Sequence, residues 1–180
     1  FSGLVVVDEA YVEFSSNPSV VSWLDKYPNL LVCQTFSKAQ GMAGARLGMA
    51  FAHPEMIAFF NRIKAPYNIN SLTINAALTR LKEQDKVGAQ VAVLLSERKR
   101  LEDALATLPI VLHCYPSDAN FVLIRVDDSL LRYQQLISEG IVVRNPSKNL
   151  NCENTLRISV GRPEENDRLI EALKKISYSV

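Results

Sequence analysis

Cysteine and histidine are scarce: three cysteines and two histidines in 180 residues. Cys33, Cys114 and Cys152 are odd in number, far apart and form no CxxC pair. This excludes a disulfide framework and points to a reducing compartment, hence a cytoplasmic protein. His53 and His113 sit at no ligand spacing from a cysteine, so no metal site is expected. Charge of one sign is lacking too: 20 basic against 19 acidic residues leave +1, which advertises neither a nucleic-acid nor an acidic-membrane partner. No apolar run approaches the ~20 residues that span a bilayer, and the most apolar stretch, 41–52, is broken by Arg46. Internal repeats, low-complexity tracts, an initiator methionine and a basic signal-like leader are all missing. A strand-like run follows Phe1 at once, so the simplest reading is a piece of a longer protein.

What is present is ordinary globular composition, 48% hydrophobic and 22% charged, enough for one domain and a fraction. Leu4–Val7 reads as a strand buried on both faces, as in parallel sheets. Leu30–Thr35 and Leu47–Ala52 read as two more strands, with a short helical pattern over Ser19–Tyr27. His53-Pro54-Glu55 reads as a helix start, with Met56, Ile57, Phe59, Phe60 and Ile63 as an apolar face and Pro66 as a stop. Ser71 is placed to cap a further helix. Val87, Val91, Leu94, Leu101, Leu105 and Leu108 give a long helix, with Glu97–Arg100, Glu102 and Asp103 as its solvated face. Beyond Pro109, strands are expected at Val111-Leu112, Phe121–Val126, Ile141–Arg144 and Thr155–Val160. Helices are expected over Leu130–Glu139, closed by Gly140, and over Pro163–Ile176. The pattern predicts an α/β unit over 1–84, then a connecting helix and a small α+β unit over 85–180.

Two constellations carry chemistry. Asp8 and Glu9 follow a buried strand, at the edge where open α/β sheets bind ligands. They fit a Walker-B-like magnesium site, but that needs a GxxxxGK[ST] segment, which this chain lacks. The plain alternative is a turn-capping carboxylate. The second constellation is Thr35-Phe36-Ser37-Lys38 with Gly41, Gly44, Arg46 and Gly48. Hydroxyls and a guanidinium suit a phosphate dianion, and glycines allow close backbone approach. A partly desolvated lysine can form a Schiff base with an aldehyde. A phosphorylated aldehyde so held is pyridoxal 5'-phosphate, and Asp8 would keep its ring nitrogen protonated. The alternatives are a surface lysine at Lys38 and a strand-end hydroxyl bonding backbone at Thr35.

These residues, Asp8-Glu9-Ala10-Tyr11 and Ser37-Lys38-Ala39 with Gly41, Ala43-Gly44, Arg46 and Gly48, resemble the fold-type-I aminotransferases, and within them the histidinol-phosphate aminotransferases. Lys38 follows Asp8 by 30 residues and precedes Arg46 by 8, as in that family. The resemblance covers the whole chain as the second half of such an enzyme. It implies the C-terminal part of a large cofactor-binding domain, with a mostly parallel sheet and helices, plus a small α+β domain. It implies that Lys38 bonds to pyridoxal 5'-phosphate and shuttles a proton, that Asp8 pairs with the ring nitrogen, and that Tyr11 hydrogen-bonds the ring oxygen. Thr35, Ser37 and Arg46 would hold the phosphate. Gln34 departs from the arginine common there and is not expected to touch the cofactor. Tyr67-Asn68 also resembles the family, with no role assigned.

Arg157 lies inside the apolar strand Leu156–Val160, where an unpaired charge is costly. It is either a structural ion pair or an anion site. The resemblance implies that Arg157 receives the carboxylate of glutamate or the phosphate end of the other substrate, and that Arg144 assists with histidinol phosphate. The implied reaction moves an amino group between histidinol phosphate and 2-oxoglutarate, in a homodimer. Rival readings are an aromatic aminotransferase, a threonine-phosphate decarboxylase, or an inert folded or binding fragment.

Overall fold

The computed structural model describes residues 1–178. The chain divides into two compact units, Phe1–Val91 and Ala92–Val180.

In the first unit, β1 (Val5–Asp8) pairs in parallel with β2 (Leu30–Thr35), and β2 pairs antiparallel with β3 (Gly48–Ala52). The expected mostly parallel sheet is thus represented here by one parallel and one antiparallel pairing. β2 is the central strand, and its Leu30, Leu31 and Val32 are buried. β1 corrects the sequence expectation of burial on both faces: it is an edge strand, and Val6 is 57% exposed. The helical pattern after Ser19 is a single 3₁₀ turn, Val20–Trp23, whose Val21 N–H is accepted by the Ser19 hydroxyl. Helix α1 (Pro54–Ile63) begins with proline at its first position, as expected. Its apolar stripe forms but buries nothing, and Ile63 is 79% exposed. Helix α2 spans Ser71–Leu81, and its cap is Asn70 rather than Ser71. The shorter reach of Asn70 Oδ1 to the Thr73 N–H, 2.9 Å, satisfies the first-turn donor from one residue earlier. Helix α3 (Gln84–Leu105) starts here, with Val87 and Val91 buried.

In the second unit, β4 (Val111–Tyr115), β5 (Phe121–Val126) and β6 (Thr155–Ser159) form an antiparallel sheet in that order. β5 alternates strictly. Val122, Ile124 and Val126 face a core with Leu101 and Leu105 of α3, Leu136 of α4 (Ser129–Ser138), and Leu169 and Leu173 of α5 (Pro163–Tyr178). The sequence-expected strand over Ile141–Arg144 is absent. Gly140, at φ 72°, closes α4, and the Ile141 N–H returns to the Leu136 carbonyl at 2.9 Å. That Schellman closure removes the donor a strand would need at its start, leaving one bridge, Arg144 to Arg157. Glu97 also departs from the solvated face assigned to it. It is 8% exposed, and its Oε2 accepts from Arg100 at 2.6 Å and Asn166 at 2.8 Å. The Arg100 guanidinium, with Asn166, holds its carboxyl below the usual range.

Candidate functional site

Because β1 and β2 run parallel, with Asp8 opposite Cys33, both strands deliver their carboxyl ends to one sheet edge. The antiparallel β3 begins there, with Gly48 opposite Thr35. Asp8 at the end of β1 and Tyr11 just beyond it, Ser37 and Lys38 after β2, and Arg46 before β3 therefore all issue from the same edge of the sheet. This is the side on which α/β sheets present ligand-binding loops.

Asp8 Oδ1 accepts the Ala10 N–H at 3.0 Å, which tightens the turn. Its second oxygen has no hydrogen bond among the described residues. Tyr11 opens a 3₁₀ turn, Val12–Phe14, and the Lys38 ammonium lies 5.0 Å from the centre of its ring. Lys38 is half-buried, and its ammonium has neither a hydrogen bond nor an ion pair among the described residues, while its carbonyl accepts the Gly41 N–H at 2.9 Å. The Thr35 hydroxyl accepts the Ser37 N–H at 3.1 Å and lies 3.2 Å from the Leu47 carbonyl and 3.0 Å from Ser37 Oγ. It holds the turn that carries Ser37 and Lys38, so the backbone-bonding role is realised. Arg46 adopts φ 52°, a left-handed conformation rare outside glycine, and one guanidinium nitrogen returns to the Ala43 carbonyl at 2.9 Å.

Glu9 was singled out from the sequence only as Asp8's neighbour, and its actual partners were missed. It does not stand beside Asp8 as a metal-binding pair. Its Oε2 accepts from Ser19 Oγ at 2.6 Å and Gln34 Nε2 at 2.9 Å, and its Oε1 accepts the Val20 N–H at 2.7 Å. Burial alone would raise its pKa, but these three hydrogen bonds outweigh it and hold the carboxyl below its ordinary value. No cluster of three or more histidine, cysteine or carboxylate side chains suited to a metal exists among the described residues. The odd polarity of Gln34 in the apolar run LLVCQT was the available signal. Arg80 was missed as well. Its Nε donates to the Gln40 carbonyl at 2.8 Å and so fixes the loop after Lys38. Tyr67 and Asn68 are exposed.

In the second unit, Arg144 and Arg157 exchange two backbone hydrogen bonds, at 3.0 and 2.8 Å. They are directly opposed, with Cα atoms about 5.5 Å apart as in any such pair. Like charges so placed repel. No described carboxylate pairs with either guanidinium. Its guanidinium lies 4.9 Å from the Phe121 ring centre. The segment after Arg144 is pinned by Asn145 to the Ser129 carbonyl at 3.3 Å and by Ser147 Oγ to the Thr155 N–H at 3.2 Å. The first unit thus assembles an amine, a carboxylate, hydroxyls and a guanidinium on one edge. The second presents a pair of guanidiniums suited to an anion.

A family model for class I and II aminotransferases matches residues 1–173. The chain is 49% identical, over 176 residues, to the histidinol-phosphate aminotransferase of Flavobacterium psychrophilum, covering 98% of this chain and 51% of that protein. The chain spans about half the length of the curated relatives it matches. Among solved structures, the histidinol-phosphate aminotransferase from Clostridium acetobutylicum superposes with a TM-score of 0.91 at 26% identity, over 98% of this chain and 55% of that one. That of Sinorhizobium meliloti, in complex with pyridoxal-5'-phosphate, gives 0.83 at 30% identity, over 98% and 49%.

Proposed function

The chain belongs to the class I and II aminotransferases, and we propose that it carries the lysine and most of the cofactor-binding side chains of a histidinol-phosphate aminotransferase. The observation that carries the reading is the gathering of Asp8, Tyr11, Ser37, Lys38 and Arg46 at one sheet edge. The donor set fits pyridoxal 5'-phosphate. Lys38 offers an amine with no hydrogen bond or ion pair among the described residues, Asp8 an open carboxylate oxygen, and Ser37 and Arg46 donors for a phosphate dianion.

When bound, that cofactor supplies an aldehyde carbon that takes an amine and a ring that draws electrons from it. Lys38 Nζ is the amine nucleophile and, when free, the base that takes and returns the proton of the substrate's reacting carbon. Asp8 holds a proton on the ring nitrogen and orients the ring. Tyr11 donates to the ring oxygen. Thr35 shapes the turn while Ser37 and Arg46 bind phosphate. Arg157 and Arg144 receive the anionic end of the substrate, and their fork geometry suits carboxylate and phosphate alike.

The amino donor is histidinol phosphate and the acceptor 2-oxoglutarate, in the cytoplasm, with a homodimer as the working form. Amino transfer measured on the full-length protein tests this. Transfer from histidinol phosphate, abolished by Lys38→Ala, is expected. Transfer restricted to aromatic amino acids, or carbon dioxide release from threonine phosphate, would replace it with a rival reading. This chain by itself is expected to turn over poorly, because it spans half of its relatives.

A further inference from the structure

One charged side chain remains unused on the face that carries Arg157. On β5, Phe121, Leu123 and Arg125 point away from the core, opposite Val122, Ile124 and Val126. Leu123 pairs with Arg157 on β6 and with Tyr115 on β4, while Arg125 pairs with Thr155 and His113. Residues paired across strands share a face, so Arg125 and Arg157 are diagonal neighbours on it, with Cα atoms about 7–8 Å apart. Each guanidinium lies against an aromatic ring, Arg157 on Phe121 at 4.9 Å and Arg125 on Tyr115 at 6.0 Å. The Nε of each is buried with no hydrogen-bond partner among the described residues. No ion pair of a described carboxylate reaches Arg125, Arg144 or Arg157. A buried N–H left unpaired is costly, and three uncompensated cations on one face add mutual repulsion. An anion arriving at this face relieves both.

We propose that Arg125 is a specificity-determining residue of the anion site formed by Arg144 and Arg157, adding a third positive charge that makes the site prefer dianions to monoanions. This rests on the reading of Arg157 as an anion site. A dianion gains twice what a monoanion gains from the same added charge. The site would thereby rank a phosphate monoester above a substrate whose distal group is a single carboxylate.

The test follows the arginine Nε–H signals of the ¹⁵N-labelled chain by NMR. The chain is titrated at pH 8 and constant ionic strength with inorganic phosphate, then with acetate. Spectra of Arg125→Gln and Arg157→Gln assign the signals. The Arg157 and Arg125 signals are expected to move together along one phosphate saturation curve. Arg125→Gln should weaken phosphate binding about tenfold and acetate binding about threefold, and Arg125→Lys, which keeps the charge, should stay within about threefold of the parent for phosphate. A moving Arg157 signal beside a still Arg125 signal, with phosphate binding unchanged in Arg125→Gln, overturns the role of Arg125 and leaves Arg157 as the anion site. If neither signal moves, the anion site itself is refuted. Arg125→Lys and Arg157→Lys remove the same two signals while keeping the charge, so they assign the spectrum of the unaltered chain should a glutamine variant fail to fold.

Discussion

Replacing Glu9 tests the hydrogen bonds that tie the Asp8–Tyr11 turn to its neighbours. Glu9→Ala removes the acceptor for Ser19 Oγ, the Val20 N–H and Gln34 Nε2. A hydrogen bond to a charged group is worth about 1.5–3 kcal/mol net, and these three are only part-buried, so freed donors regain water; the total loss is about 3 kcal/mol. Glu9→Gln should cost about 1 kcal/mol, because Ser19 and Gln34 can reorient to meet an amide while the Val20 N–H keeps an oxygen. The only tryptophan, Trp23, ends the 3₁₀ turn that starts at Val20, so its fluorescence reports this segment. With a urea m-value of about 1–1.5 kcal/mol/M, Glu9→Ala should lower the midpoint by about 2 M. The folded pKa of Glu9 lies below its ordinary 4.5, so its stabilisation is complete above that value. It is lost as pH falls through the folded pKa, and the advantage over Glu9→Gln should vanish there. A midpoint shift under about 0.5 M for Glu9→Ala, or equal effects of the two variants at pH 7, would refute the reasoning.

The core of the second unit gives another test. Leu101 is fully buried there, so Leu101→Ala should cost about 2–5 kcal/mol by chemical denaturation; a loss under about 1 kcal/mol would mean the site is looser than described. Burial, with the Glu102 charge adding to it, pushes the Cys114 thiol pKa up. Its alkylation at pH 8, read by peptide mass spectrometry, should be several-fold slower in the folded chain than in urea, and equal rates would contradict that.

The legible parts of the fold were those set by local pattern. The apolar run of β2, the proline start of α1 and the span of β5 all appear where the sequence places them. The missed parts depended on distant partners. Ile141-Val142-Val143 has strand composition, yet the Gly140 closure claims the Ile141 N–H for the helix behind it. Glu97 shares a charged run with the exposed Lys99, yet it is buried and bonded to Asn166, 69 residues away, a contact that no local pattern shows. At the site, Lys38 and Arg46 stood out because cations beside glycines and hydroxyls have few structural uses. Glu9 was masked by Asp8, and its role required knowing that Ser19 and Gln34 converge on it. Arg125 carried no signal in the sequence, and only the register sets it diagonal to Arg157.

The central claim is that Lys38 is the residue that bonds to pyridoxal 5'-phosphate. The most direct measurement is to incubate the protein with the cofactor, reduce with borohydride, digest, and locate the phosphopyridoxyl group by mass spectrometry. The group concentrated on Lys38, and lost in Lys38→Ala, is the expected result. A full-length protein in which the label sits on another lysine, or is scattered over the surface, would contradict the assignment.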